Sequence, residues 1–147
     1  MSLATDSIFI AAIQSNPALV ERIGGRLYGT AIPLPDEDAD NVPVPYVIVT
    51  FDGLNNQNQT KDDVYEGSYD TVNIGVEVIG ETINDLHELT QAVRDTILSY
   101  FRENETAISD YTFTADAIQF DSLKPCYWQT LHYQCDVDNN IKDNDDE

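Results

Sequence analysis

The stretch Tyr69-Asp70-Thr71-Val72-Asn73-Ile74-Gly75-Val76-Glu77-Val78-Ile79 is followed at once by Thr82-Ile83-Asn84-Asp85-Leu86 and a run to Phe101. Within these residues the apolar period changes from two to about 3.6. Val72, Ile74, Val76 and Val78 share one parity, and Thr71, Asn73, Gly75 and Glu77 share the other, as in a half-buried strand. Then Leu86, Leu89, Val93, Ile97, Tyr100 and Phe101 form a single stripe, which predicts an amphipathic helix over about 83–101. Thr82 followed three residues later by Asp85 resembles a capping box with Asp in place of Glu. A strand that keeps one polar face, joined directly to a helix with one apolar stripe, predicts a sheet with helices on one side.

Upstream, Tyr46-Val47-Ile48-Val49-Thr50-Phe51 reads as an apolar, β-branched strand that pairs antiparallel with 69–79. The polar residues 52–68 between them read as a loop. Residues 6–15 read as a short helix, capped by Thr5 or Asp6, with Ile8, Phe9, Ala12 and Ile13 on one face. Asn16-Pro17 interrupts it and restarts a turn whose apolar residues are Leu19, Val20 and Ile23. Gly24-Gly25 stops that segment, because glycine adopts the left-handed conformation at a helix end without penalty. Arg26-Leu27-Tyr28 is extended, and 29–45 is a loop rich in Pro and acid.

Downstream, 111–121 reads as a strand whose apolar parity slips between Ala115 and Ile118, predicting a bulge near Asp116 or Ala117. Residues 126–137 form the last strand, with Tyr127, Leu131, Tyr133, Cys135 and Val137 on the core side. Trp128, Thr130, His132, Gln134 and Asp136 take the other side. The fold class is therefore α+β: a mostly antiparallel sheet of four to five strands with two helices packed on one face. One domain is expected over 1–138, with an acidic tail at 139–147.

Composition narrows the function. The chain of 147 residues carries 27 Asp and Glu against seven Lys and Arg, a formal charge of −20. Nucleic-acid binding requires clustered cations, and these are absent. Solubility, adaptation to high salt and a DNA-mimicking surface each account for the acidity. No apolar run approaches the roughly 18 residues of a membrane span. The N-terminus lacks the charge and apolar run of a signal peptide, so use without export is expected. Cys126 and Cys135 fall on one strand, about 30 Å apart on opposite faces, which predicts free thiols.

No nucleophile motif, phosphate loop or metal-ligand spacing interrupts the pattern. His87 and His132 lack partners at a recognised catalytic spacing. The acids of 36–40 lack the glycine turn and terminal Glu of a calcium loop. A non-enzymatic protein without cofactor or metal is expected. Its informative side chains are aromatic: Tyr46, Trp128 and His132 stand on the face opposite the core set, which either the chain's own loops or a neighbouring subunit covers. Asn56 and Lys61, in the loop after the first strong strand, are further contact candidates. Arg22 and Arg26 either compensate a helix C-terminus or pair with a neighbour's acids.

The succession Ile23-Gly24-Gly25-Arg26-Leu27-Tyr28, then Pro45-Tyr46-Val47-Ile48-Val49, the strand 71–79, the helix from Leu86-His87-Glu88-Leu89 to Ile97 and two closing strands resembles a known family. It is similar to the tail terminator, or tail completion, proteins of long-tailed phages and related archaeal viruses. The likeness covers roughly 7–138; the acidic segment at 36–41 and the tail after Val137 depart from it. It implies a homo-hexameric ring that caps the tail tube, meets the tube protein and a neck or head-completion protein, and lets DNA pass without binding it. It also implies a place in the virion after assembly in the host cytoplasm. Other readings are a different neck component, such as a head-completion or adaptor protein, and an acidic DNA-mimic inhibitor. High-salt adaptation would point to a halophilic host.

Overall fold

A computed structural model of the chain describes residues 2–29, 42–56 and 69–138. Helix α1 spans Thr5–Gln14, α2 Pro17–Arg22 and α3 Ile83–Glu103. The strands are β1 (Leu27–Tyr28), β2 (Tyr46–Asn56), β3 (Tyr69–Gly80), β4 (Ile108–Ala115), β5 (Gln119–Asp121) and β6 (Cys126–Asp138). They form one six-stranded sheet in the order β1-β2-β3-β6-β4, with β5 beside β6 as well. Only β1 and β2 are parallel; the other pairs are antiparallel. The predicted class holds, with one strand more than the upper expectation, and the expected interruption at Asn16-Pro17 separates α1 from α2.

The split follows from local chemistry. Asn16 accepts a hydrogen bond from the Leu19 N–H through Oδ1, Pro17 sits at the first helical position, and Asn16 Nδ2 donates to Thr96 Oγ1 at 3.0 Å. One side chain thus caps α2 and ties it to α3. At the other end Gly24 and Gly25 have φ of 61° and 73°, and the Gly25 N–H returns to the Val20 carbonyl at 2.9 Å. The expected glycine stop is present. The expected cap on α1 is not: a 3-10 turn over Ser2–Ala4 moves the start upstream, and Thr5 Oγ1 instead donates to the Ser2 carbonyl. On α3, Thr82 accepts from the Asp85 N–H at 3.1 Å, as the sequence indicates.

All three helices contribute to one apolar core. Phe9, Ile13, Leu19, Leu86, Leu89, Val93 and Ile97 meet Val47, Val49, Val72, Ile74, Val76, Val78, Leu131, Tyr133, Cys135 and Val137. On β3 and β6 these are the residues assigned to the core side by parity; β2, whose apolar run suggests burial on both faces, instead buries Val47 and Val49 and leaves Tyr46, Ile48 and Thr50 only partly covered. Each large apolar side chain buried there contributes about 1.5–3 kcal/mol. Phe9 sits at the centre, with ring centroids 5.3 Å from Phe101 and 5.0 Å from Tyr133.

Two strand boundaries differ from expectation. β2 runs on to Asn56 because an irregularity between Phe51 and Gly53 lets Leu54, Asn55 and Asn56 keep pairing with Val72, Thr71 and Asp70. The predicted strand at 111–121 is two strands. Ala115 opposes Leu131 and Gln119 opposes Trp128, so the chain between β4 and β5 carries one residue more than β6 does. That is the expected bulge, centred on 116–118. Both cysteines lie on β6, buried and unbridged. The tail at 139–147 lies outside the described residues, as do most of the residues in the two long loops.

Candidate assembly surface

The core takes one parity of every central strand, so the other parity forms a second face to which the described helices contribute nothing. Register lays it out in transverse rows. Tyr46, Ile79, Trp128 and Gln119 make one row. Tyr28, Ile48, Glu77 and Thr130 make the next. Thr50, Gly75, His132 and Thr114 follow, and then Gly53, Asn73, Gln134 and Thr112. The face is therefore aromatic and apolar at one end and polar at the other.

At the aromatic end, the Tyr46 ring lies 6.1 Å from Tyr28, edge to face, with the Lys124 ammonium 5.4 Å from its centroid. Burial, followed by the neighbouring Cys126, Glu77 and Asp121, raises the Tyr46 hydroxyl above its ordinary range. Lys124 also donates to the Val42 carbonyl, and Val42 is buried although it lies outside the main core. Ile79, between Tyr46 and Trp128, is buried in the same way. Trp128 remains half-buried.

The middle of the face carries charge. Gly75 is needed there: a Cβ would stand 2.5 Å from Asp52 Oδ2 and 2.7 Å from Thr50 Oγ1. The space it leaves admits the Asp52 carboxylate, which accepts from Thr50 Oγ1 at 2.8 Å. Glu77 stands close enough to feel that charge, and burial first and Asp52 second raise its carboxyl above the usual range. Across the strand, His132 Nε2 lies 2.8 Å from Asp116 Oδ2. Asp116 is the bulge residue, held by its N–H on the Thr130 carbonyl and by Gln129 Nε2 on its own carbonyl. The extra residue thus aims a carboxylate back over β6.

Of the residues singled out from sequence, Tyr46, Trp128 and His132 do share this face. Asn56 does not: it pairs with Asp70 and donates to Asp70 Oδ1 at 2.7 Å on the helix side. Arg22 belongs to α2 and pairs with Glu88 of α3 at 3.2 Å. Arg26 donates from Nε to the Pro45 carbonyl at 3.1 Å. Lys61 lies outside the described residues. Sequence reasoning passed over Asp52, Glu77 and Asp116 as parts of a site. Only Glu77, a single acid among Val76, Val78 and Ile79, gave a signal.

Four of the five described cations are engaged within the chain: Arg22 with Glu88, Arg26 with Pro45, Arg94 over Phe113 at 4.2 Å, and Lys124 with Val42. The surface left for partners is therefore acidic, hydrogen-bonding and locally aromatic. Among the described residues no group of three His, Cys, Asp or Glu is placed to hold a metal ion. No described helix is long and apolar enough to cross a membrane.

No protein-family profile matches the chain. No curated protein matches its sequence. Among solved structures, the chain is similar to one in the virion of a native gene transfer agent particle, with a TM-score of 0.58 and 10 % sequence identity. The likeness covers 90 % of this chain and 92 % of the other, so the two share the fold along nearly their whole lengths.

Proposed function

We propose that this protein is a structural component of a virion, a tail terminator that caps the finished tail tube as a homo-hexameric ring and joins it to the neck. The observation that carries the reading is the end-to-end fold likeness to a chain of a gene transfer agent virion. It is joined by the order of motifs that resembles the terminator family. The chemistry of the helix-free face agrees with contact rather than turnover: aromatic side chains, hydrogen-bonding groups and carboxylates on one face of a sheet. On this reading the protein is not an enzyme, holds no cofactor, is assembled in the host cytoplasm and resides in the virion. Its partners are its own copies, the tube protein and a neck or head-completion protein.

The charge of −20 has a role in this setting. An acidic lumen repels phosphate, so DNA passes through without being held. The same charge opposes association of copies unless salt screens it or a basic partner neutralises it.

Light scattering of the purified protein, in low and in multimolar salt, with and without purified tail tubes, tests the proposal. A hexamer that forms with salt or on tubes is the expected result. A monomer that ignores tubes in every condition overturns it. A ring that docks elsewhere in a virion density map would move the assignment to another neck component.

A further inference from the structure

The sheet is open, and its two edges are not equally closed. β1 covers β2 only at Val47 and Ile48. From Thr50 to Asn55 no described strand lies on the outer side of β2. At the opposite end, β4 pairs with β6 on one side, and no described strand lies on its other side.

The direction of the backbone groups follows from their hydrogen bonds. The Asp116 N–H donates to the Thr130 carbonyl on β6. Alternation then sends the N–H and C=O of Tyr111, Phe113 and Ala115 away from the sheet. The Tyr111 N–H donates to Oδ1 of the preceding Asp110 at 2.8 Å. On β2 the Val47 N–H points outward to the Arg26 carbonyl. Leu54 lies on the same helix side as Val47, because it opposes Val72 beyond the irregularity, so its N–H points outward too.

Natural sheets blunt free edges with proline, charge or bulges. The segment Tyr111-Thr112-Phe113-Thr114-Ala115 has neither proline nor charge in a chain with 27 acids. Leu54, 36 % exposed, is a large apolar side chain left open on the helix side of the other edge.

We propose that the free edge of β4 in one copy pairs antiparallel with the outer edge of β2 in the next, setting Phe113 against Leu54. Strand directions require the antiparallel sense: β2 and β6 run one way, β3 and β4 the other. Both side chains stand on the helix side, Phe113 opposite Tyr133 and Leu54 opposite Val72, so the two sheets continue with the same face to the helices. Charge selects this pairing over β4 with β4. Centred on Phe113, the latter sets Asp110 directly against Asp116, whereas pairing with β2 sets no acid directly opposite another, Asp52 facing Ala115 and Asp116 facing Phe51. Opposite edges of one sheet make a heterologous contact, which closes into a ring or extends as a filament. The inference deepens the ring reading and rests on it only for the expectation that copies meet.

In this register Thr112 opposes Asn55 on the helix-free face. Both are exposed, and a non-hydrogen-bonded pair places its Cβ atoms about 4.5–5.5 Å apart, within disulfide reach. The test uses Thr112→Cys and Asn55→Cys variants under mild oxidation in multimolar salt, with the buried native cysteines as the background. Mixing the two variants should give disulfide-linked dimers, and the double variant a ladder of oligomers, while each single variant alone stays unlinked. Dimers from a mixture of Thr112→Cys and Thr114→Cys, which oppose each other when β4 pairs with β4 about Phe113, would replace the proposal with that pairing. Oligomers by light scattering without cross-links would place the contact elsewhere, and a monomer in all conditions would also overturn it. A cross-linked ladder that fails to bind tail tubes would keep the seam and reject the terminator reading.

Discussion

The two faces of the sheet are built from the same residues in alternation and obey different rules. On the helix side, Val72, Ile74, Val76 and Val78 are at most 1 % exposed and fill a core shaped by Phe9, Leu89 and Ile97. On the other side, Gly75 leaves a cleft for a carboxylate, Glu77 is a perturbed acid, and Ile79 sits between Tyr46 and Trp128. The first face sets stability through volume, so its chemistry is interchangeable within size limits. The second has no described helix over it, and its exposed residues are to be understood by what covers them.

The sharpest way to break this contrast is to truncate one residue on each face. Phe9→Ala removes a fully buried ring that touches Phe101 and Tyr133, and should cost about 3–5 kcal/mol in urea unfolding. A loss below about 1 kcal/mol would mean that the core is not centred there. Asn16→Ala, which removes the α2 cap and its bond to Thr96, should cost about 1–2 kcal/mol by the same measurement.

Trp128→Ala, on the helix-free face, should cost the monomer less than either of these and should abolish higher assembly in light scattering. If assembly survives unchanged, the aromatic row is not a contact surface.

The smallest effect sharpens the electrostatics. Glu77 is raised above its ordinary value of about 4.5 by burial and by Asp52. The folded state therefore holds this proton more tightly than the unfolded state, and the stability it contributes at low pH is lost as pH rises through the raised value. Glu77→Gln should remove that loss, a gain of less than about 1 kcal/mol at neutral pH and none at pH 4. Equal effects at both pH values would assign the change to packing. Thiol labelling adds a control on the core: burial, and then Asp136, push the Cys135 thiol up to about 12. It should react only after unfolding.

Much of this architecture was legible in order along the chain. The alternation of 71–79, the stripe from Leu86 to Phe101, the glycine stop at 24–25 and the slipped parity near Asp116 are local signals. Each reports a period or a backbone requirement that neighbouring residues impose on one another. The aromatic half of the assembly surface was legible for the same reason: parity alone puts Tyr46, Trp128 and His132 opposite the core. What sequence could not supply was who stands beside whom across strands. The length of β2, the meeting of Asp52 with Glu77 over Gly75, the burial of Ile79 between Tyr46 and Trp128, and the use of Arg22 and Arg26 within the chain all depend on register and on contacts between distant segments. Sequence spacing fixes which way a side chain points, whereas only tertiary packing fixes what it meets.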